Sequence, residues 1–186
     1  MFMAMPSPAL QATVLQSLES YGVRQQLGRS LFAPTNWHQS FSERVFDASA
    51  AQIEALCEVG QGVVAPGGTL RFDRIDWSAN QAGRIHCTLR GPASNRQAML
   101  PLLTALRARL QAAGFAEIAT GVTAHLTLSY DAPSVQSRLS LPEPIDWTFD
   151  ELLLVSGEGQ PYHYRVLGRW PLLPDPDPPA TQLGLF

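Results

Sequence analysis

The sequence predicts an α+β fold in which helices and antiparallel hairpins are mixed along one chain. Helical spacing of apolar residues is confined to three stretches, near residues 8–27, 49–59 and 94–113. Between them lie short segments that alternate apolar and polar residues, bounded by Gly, Pro and Asn. The resulting order, βαβα, hairpin, αβ, hairpin, lacks the regular βαβ repeat that builds a doubly wound parallel sheet.

Phe2 to Met5 reads as a short strand. Pro6 and Pro8 then lead into a helix through about Leu27, with Leu10, Val14, Leu15 and Leu18 at helical spacing. Asn36 to Val45 is expected to be a strand, and a second helix should run from Ser49, a natural N-cap, to Val59, burying Ile53, Leu56 and Cys57. The turn signal Pro66-Gly67-Gly68 precedes Thr69 to Trp77, where Leu70, Phe72 and Ile75 alternate with polar residues except for one break in register. Arg84 to Arg90 is its expected partner, joined through Asn80 to Gly83. A long helix follows from about Ser94 to Ala113, where Pro101 either kinks it or marks a later start. Ala124 to Tyr130 reads as a strand, and Trp147 to Val155 with Tyr162 to Trp170 as a final antiparallel pair around Gly157-Glu158-Gly159. Residues 1–170 are the expected folded domain. From Pro171 the run Pro-Leu-Leu-Pro-Asp-Pro-Asp-Pro-Pro has no period and reads as an extended tail over 171–186.

Composition narrows the chemistry. At 186 residues with 45% hydrophobic content the chain can fill a core of its own. Its apolar runs are far shorter than the roughly 20 residues a membrane span needs, and no basic segment precedes an apolar signal core, so a cytoplasmic monomer is expected. A net charge of −3 argues against a long footprint on duplex nucleic acid but leaves a small ligand or a strand end open. All thirteen basic residues are arginine. Without lysine there is no lysyl-adenylate, no Schiff base and no P-loop lysine. Cys57 and Cys87 lack metal-ligand spacing and are expected to be reduced packing residues, with a disulfide or a reactive thiol as the alternatives.

Two strand-like segments share one pattern, His38-Gln39-Ser40-Phe41 and His125-Leu126-Thr127-Leu128. Residues two apart in a strand share a face, so each imidazole projects beside its own hydroxyl while Phe41, Leu126 and Leu128 can point inward. Gln39 falls on that inward face, a mismatch for a buried strand. Two imidazoles flanking one phosphorus can divide acid and base work, because their pKa lies near neutrality. Neighbouring hydroxyls can donate to the non-bridging oxygens, where charge gathers in the transition state. No metal and no cofactor is then needed.

On these motifs the chain resembles the 2H phosphoesterases, specifically the bacterial 2′-5′ RNA ligase and RNA 2′,3′-cyclic phosphodiesterase group. The likeness covers nearly the whole chain, including Phe2-Met3-Ala4-Met5-Pro6, Asn36 to Phe41 and His125 to Asp131, and ends with Ile145-Asp146-Trp147-Thr148 through Val155-Ser156 and with Tyr164 to Trp170. It implies a bilobal α+β fold, two antiparallel sheets flanked by helices around a central cleft, each lobe supplying one motif. It further implies His38 as proton donor, His125 as proton acceptor, and Ser40 and Thr127 as hydroxyl donors in opening RNA 2′,3′-cyclic phosphates to 2′-phosphates. Ser40 stands where threonine is usual and Phe41 where leucine is common. Ser129 and Tyr130 occupy a region where some relatives carry an arginine. Without lysine, any 2′-5′ ligation would run as the reverse of transesterification.

Other residues carry competing readings. Phe41 and Tyr130 are the aromatic candidates for substrate contact, while Trp37, Trp77, Trp147 and Trp170 are expected in core or rim packing. His86-Cys87-Thr88 is a partial third copy of the motif, but His86 and His163 are expected to be structural or solvent-facing. Arg44, Arg90 and Arg165 are either phosphate contacts or solvated surface. The terminal Gln182-Leu183-Gly184-Leu185-Phe186 resembles the pentapeptide by which bacterial replication and repair proteins grip the DNA polymerase sliding clamp, the alternatives being a tail folded onto its own surface or an accidental match. The rival functions are a non-catalytic module binding RNA ends or the clamp, and a phosphodiesterase of small cyclic nucleotides or ADP-ribose cyclic phosphate.

Overall fold

In the computed structural model, which describes residues 1–120 and 122–178, the alternating segments assemble into two four-stranded sheets with every pairing antiparallel. The first has the order β2-β1-β7-β8, from Gln39–Ser40, Phe2–Ala4, Glu151–Glu158 and His163–Pro171. The second has the order β5-β4-β3-β6, from Leu126–Ser129, Ile85–Arg90, Gly68–Ala79 and Leu139–Phe149. Helix α1 (Pro8–Ser20) packs on β6, α3 (Ala50–Gln61) on β7 and β8, and α4 (Asn95–Ala112) on β3. This is the α+β, two-sheet architecture the sequence implies.

Local chemistry explains most boundaries. The Ser7 hydroxyl caps α1 by accepting from the Leu10 amide, and Ser49 and Gln52 form a reciprocal capping box on α3. Pro101 lies inside α4, which is continuous from Asn95, so it does not mark a late start. The helix expected through Leu27 instead divides at Gly22, whose φ of 70° is left-handed, leaving α2 as Val23–Leu27. The break in the pattern of β3 is real, with a register shift between Phe72 and Arg74 against β6. Where β4 stops at Arg90, the buried Asn95 carboxamide takes over its role, accepting from the Arg71 amide at 2.9 Å and donating to the Arg71 carbonyl at 2.8 Å.

Three strand expectations are corrected. The strand anticipated over Asn36 to Val45 is reduced to Gln39–Ser40, because Pro34–Asn36 form a 3-10 turn and the chain leaves β1 after one short pairing. The expected strand Trp147 to Val155 is two strands in different sheets. Phe149 pairs with Gly68 on β3, and only two residues later Glu151 pairs with Pro171 on β8. The change of burial pattern marks the switch: Ile145, Trp147 and Phe149 alternate with exposed residues, whereas Leu152 to Val155 are all buried because β7 is interior to its sheet. Gly157 and Glu158 belong to β7, and the turn falls at residues 159–162.

The tail expected from Pro171 stays attached further than composition suggests. Pro171 ends β8, Leu172 donates to the Asp150 carbonyl, Leu173 donates to Ala65, and Thr69 donates to the Asp175 carboxylate at 2.8 Å. The pentapeptide Gln182 to Phe186 lies outside the described residues. Among the described residues no helix is long and apolar enough to cross a membrane.

Candidate active site

Residues 37 to 41 alternate faces as they enter and leave β2. Trp37, Gln39 and Phe41 are turned inward at 0, 0 and 1% exposure, and His38 and Ser40 line a cavity of about 300 Å³. Across it, β5 sends Leu126 and Leu128 into the core and leaves His125 on the opposite face. His38, Ser40, Arg44, Thr123, His125 and Tyr130 form the wall with Met1. The two motif histidines, remote in sequence, therefore share one small polar cavity supplied by both sheets.

Each imidazole is held in the same way. His38 Nδ1 donates to the Asn36 carbonyl at 2.8 Å, and His125 Nδ1 to the Thr123 carbonyl at 3.0 Å, the acceptor lying two residues upstream in both cases. A carbonyl can only accept, so the neutral ring carries its proton on Nδ1 and keeps Nε2 as a lone-pair base. The Tyr164 ring meets His38 edge to face at 5.1 Å and fixes its plane further.

Burial also sets the protonation state. It pushes the His38 pKa down to about 4, the Asn36 carbonyl opposing it and the charges of Arg44 and His125 adding to it. The His125 pKa is lowered as well, chiefly by burial, with Thr123 opposing and Arg90 and His86 reinforcing. Both rings are thus neutral near pH 7 in the ligand-free protein. Arg44 stands on the cavity wall and supplies positive charge for an anion. Among the described residues no three His, Cys, Asp or Glu side chains come together to hold a metal ion.

The remaining candidates divide. Ser40 lies on the wall, its hydroxyl 3.6 Å from the Met1 sulfur. Thr127, two residues beyond His125, is buried at 6% exposure opposite Thr88 and is not among the residues that line the cavity. Tyr130 is at the rim, 38% exposed, between Phe32 and His86 at 5.1 and 5.0 Å. Phe41, expected to touch substrate, does not: it is a core residue packed on Phe149 at 5.2 Å, because it falls on the inward face of the motif. His86 stacks beside Tyr130, Arg90 is tied to the Thr88 hydroxyl at 3.1 Å, and Arg165 and His163 lie by Glu158. Cys57 and Cys87 are both free, and burial raises the Cys87 thiol to about 12, leaving it inert.

The residue that motif reasoning passed over is Gln39. Its Nε2 donates to the carbonyls of Ser40 (2.8 Å) and Thr123 (3.1 Å), and its Oε1 accepts from the His125 amide at 2.9 Å. The mismatch of a glutamine on an inward face was its sequence signal.

No protein-family model matches the chain, and no curated protein matches it. Solved structures do. E. coli LigT in apo form superposes with a TM-score of 0.70 at 19% identity, covering 92% of this chain and 95% of that one. LigT complexed with 3′-AMP gives 0.72 at 19% identity over 92% and 95%. A protein described as a phosphoesterase gives 0.67 at 18% over 92% and 96%, and TT0787 of Thermus thermophilus gives 0.63 at 16% over 93% and 97%. Two sheets, a cleft between them and near-complete mutual coverage give this chain the bilobal α+β fold seen in E. coli LigT.

Proposed function

We propose that this chain is a 2H phosphoesterase that opens 2′,3′-cyclic phosphates at RNA ends, with His38 as proton donor and His125 as proton acceptor. The observation that carries the reading is the shared cavity, with both imidazoles held through Nδ1 by an upstream carbonyl and both keeping Nε2 for substrate. The likeness to LigT, crystallised with 3′-AMP and with phosphate, supports a nucleotide phosphate as the ligand class.

His125 Nε2 takes a proton from water as its oxygen attacks phosphorus. The bond from phosphorus to the 3′ oxygen breaks, that oxygen takes the proton from His38, and a 2′-phosphate remains. The Ser40 hydroxyl donates to a non-bridging oxygen from the wall and Thr127 from the deeper position beside His125. His38 must be protonated to act. Burial is the main cause of the low His38 pKa, with Arg44 and His125 adding to it; an anionic phosphate beside the ring opposes these charges and shifts its pKa upward, so substrate binding favours the charged acid. None of these steps calls on a metal.

The test is turnover of an oligoribonucleotide 2′,3′-cyclic phosphate in EDTA, with the position of the product phosphate determined. The wild type should yield the 2′-phosphate at full rate. His38→Ala and His125→Ala should each lose about 10²–10⁴-fold while remaining folded. Loss of activity on chelation, or a full rate in either variant, would refute the mechanism. A parallel panel of 2′,3′-cyclic mononucleotides and ADP-ribose cyclic phosphate separates RNA ends from smaller substrates.

A further inference from the structure

We infer that Gln39 is a positioning residue whose side chain sets the spacing of the two imidazoles and holds the tautomer of His125. The inference rests on the proposed role of His125 as proton acceptor.

The hydrogen-bond chemistry admits one orientation of the carboxamide. The His125 amide can only donate, so it faces Oε1, whereas the Ser40 and Thr123 carbonyls can only accept, so they face Nε2. Both amide protons are used, and the side chain is 0% exposed. By engaging the carbonyl of Thr123 and the amide of His125, the carboxamide imitates a peptide unit of a neighbouring strand. It adjoins the start of β5, an outer strand of its sheet, while the Gln39 backbone is paired with Ala4 in the other sheet.

Two consequences follow for the chemistry. The Thr123 carbonyl that receives the Gln39 proton also receives the His125 Nδ1 proton, so one acceptor is shared between the brace and the ring. Gln39 is also the residue next to His38. One peptide bond and one carboxamide therefore connect the two histidines across the cleft.

The test is Gln39→Met, close in volume and without hydrogen bonds, compared with Gln39→Glu, which keeps the acceptor for the His125 amide and has a proton for Thr123 only while its carboxyl is protonated. Turnover of the cyclic phosphate should fall about 100-fold in kcat with little change in KM. Gln39→Glu should regain rate relative to Gln39→Met as its carboxyl protonates, a pH signature that a purely structural residue would not give. Imidazole ¹⁵N spectra should show His125 losing its Nδ1–H tautomer in Gln39→Met while His38 keeps it. An unchanged His125 tautomer in Gln39→Met would overturn the inference, whatever the activity. A wild type inactive on cyclic phosphates would overturn the proposed function instead. Should the variants fail to fold, the wild type still decides: its Gln39 carboxamide protons should be resolved and protected from exchange, and rapid exchange of both would refute the brace.

Discussion

At the scale of single residues, the electrostatics of His38 make the site sensitive to pH in a defined direction. Its pKa is about 4 in the folded chain against 6.5 for the free side chain. Between these values the unfolded chain binds the proton more readily. The His38 contribution is therefore complete above pH 6.5 and is lost as pH falls toward 4, roughly 3 kcal/mol over the window. Thermal or urea unfolding of the wild type and of His38→Gln across this range should show the variant losing less stability on acidification; equal losses would contradict it. Arg44 offers a second check, because removing a positive charge favours the imidazolium. His38 in Arg44→Gln should titrate at higher pH than in the wild type, measured by NMR. The two histidines and Ser40 were legible in the sequence as a repeated pattern. What holds the His125 ring was not, since its acceptor Thr123 and the Gln39 carboxamide meet only after the two sheets come together.

Among the elements, each motif segment buries one face in the core. Trp37, Gln39 and Phe41 are locked inward while His38 and Ser40 face the cavity. Phe41→Ala should therefore cost about 3–5 kcal/mol of stability, read by denaturant unfolding, as truncation of a buried aromatic does. Phe41→Leu should lower the melting temperature and leave KM for the cyclic phosphate unchanged; a raised KM would place the ring back among the substrate contacts. Helix starts were readable from the N-cap Ser49 and from Pro6 and Pro8, because helix initiation is local chemistry, whereas the Ser7 cap was not singled out. Alternation gave β3 and even its irregularity. Alternation did not reveal that Phe149 and Glu151 belong to different sheets, since one extended run of sequence serves two sets of partners there. It also extended β2 well beyond its two paired residues, because only β1 is there to pair with it.

For the whole molecule, the topology explains why the cleft exists. The first sheet is built from early and late strands and the second from the middle of the sequence, so each motif arrives on a different sheet and the cavity lies where they meet. Pairing of β1 with β7 is the contact that composition could least foretell, joining Phe2 to Leu154 across nearly the whole chain. The proposed chemistry requires both imidazoles to address one phosphorus atom, and binding can test that without turnover. Titrating the wild type with a 2′-nucleotide while following the imidazole ¹⁵N resonances should move the Nε2 signals of His38 and His125 together, with one dissociation constant and an upward shift in both pKa values. A response from one ring alone, or from neither, would contradict it.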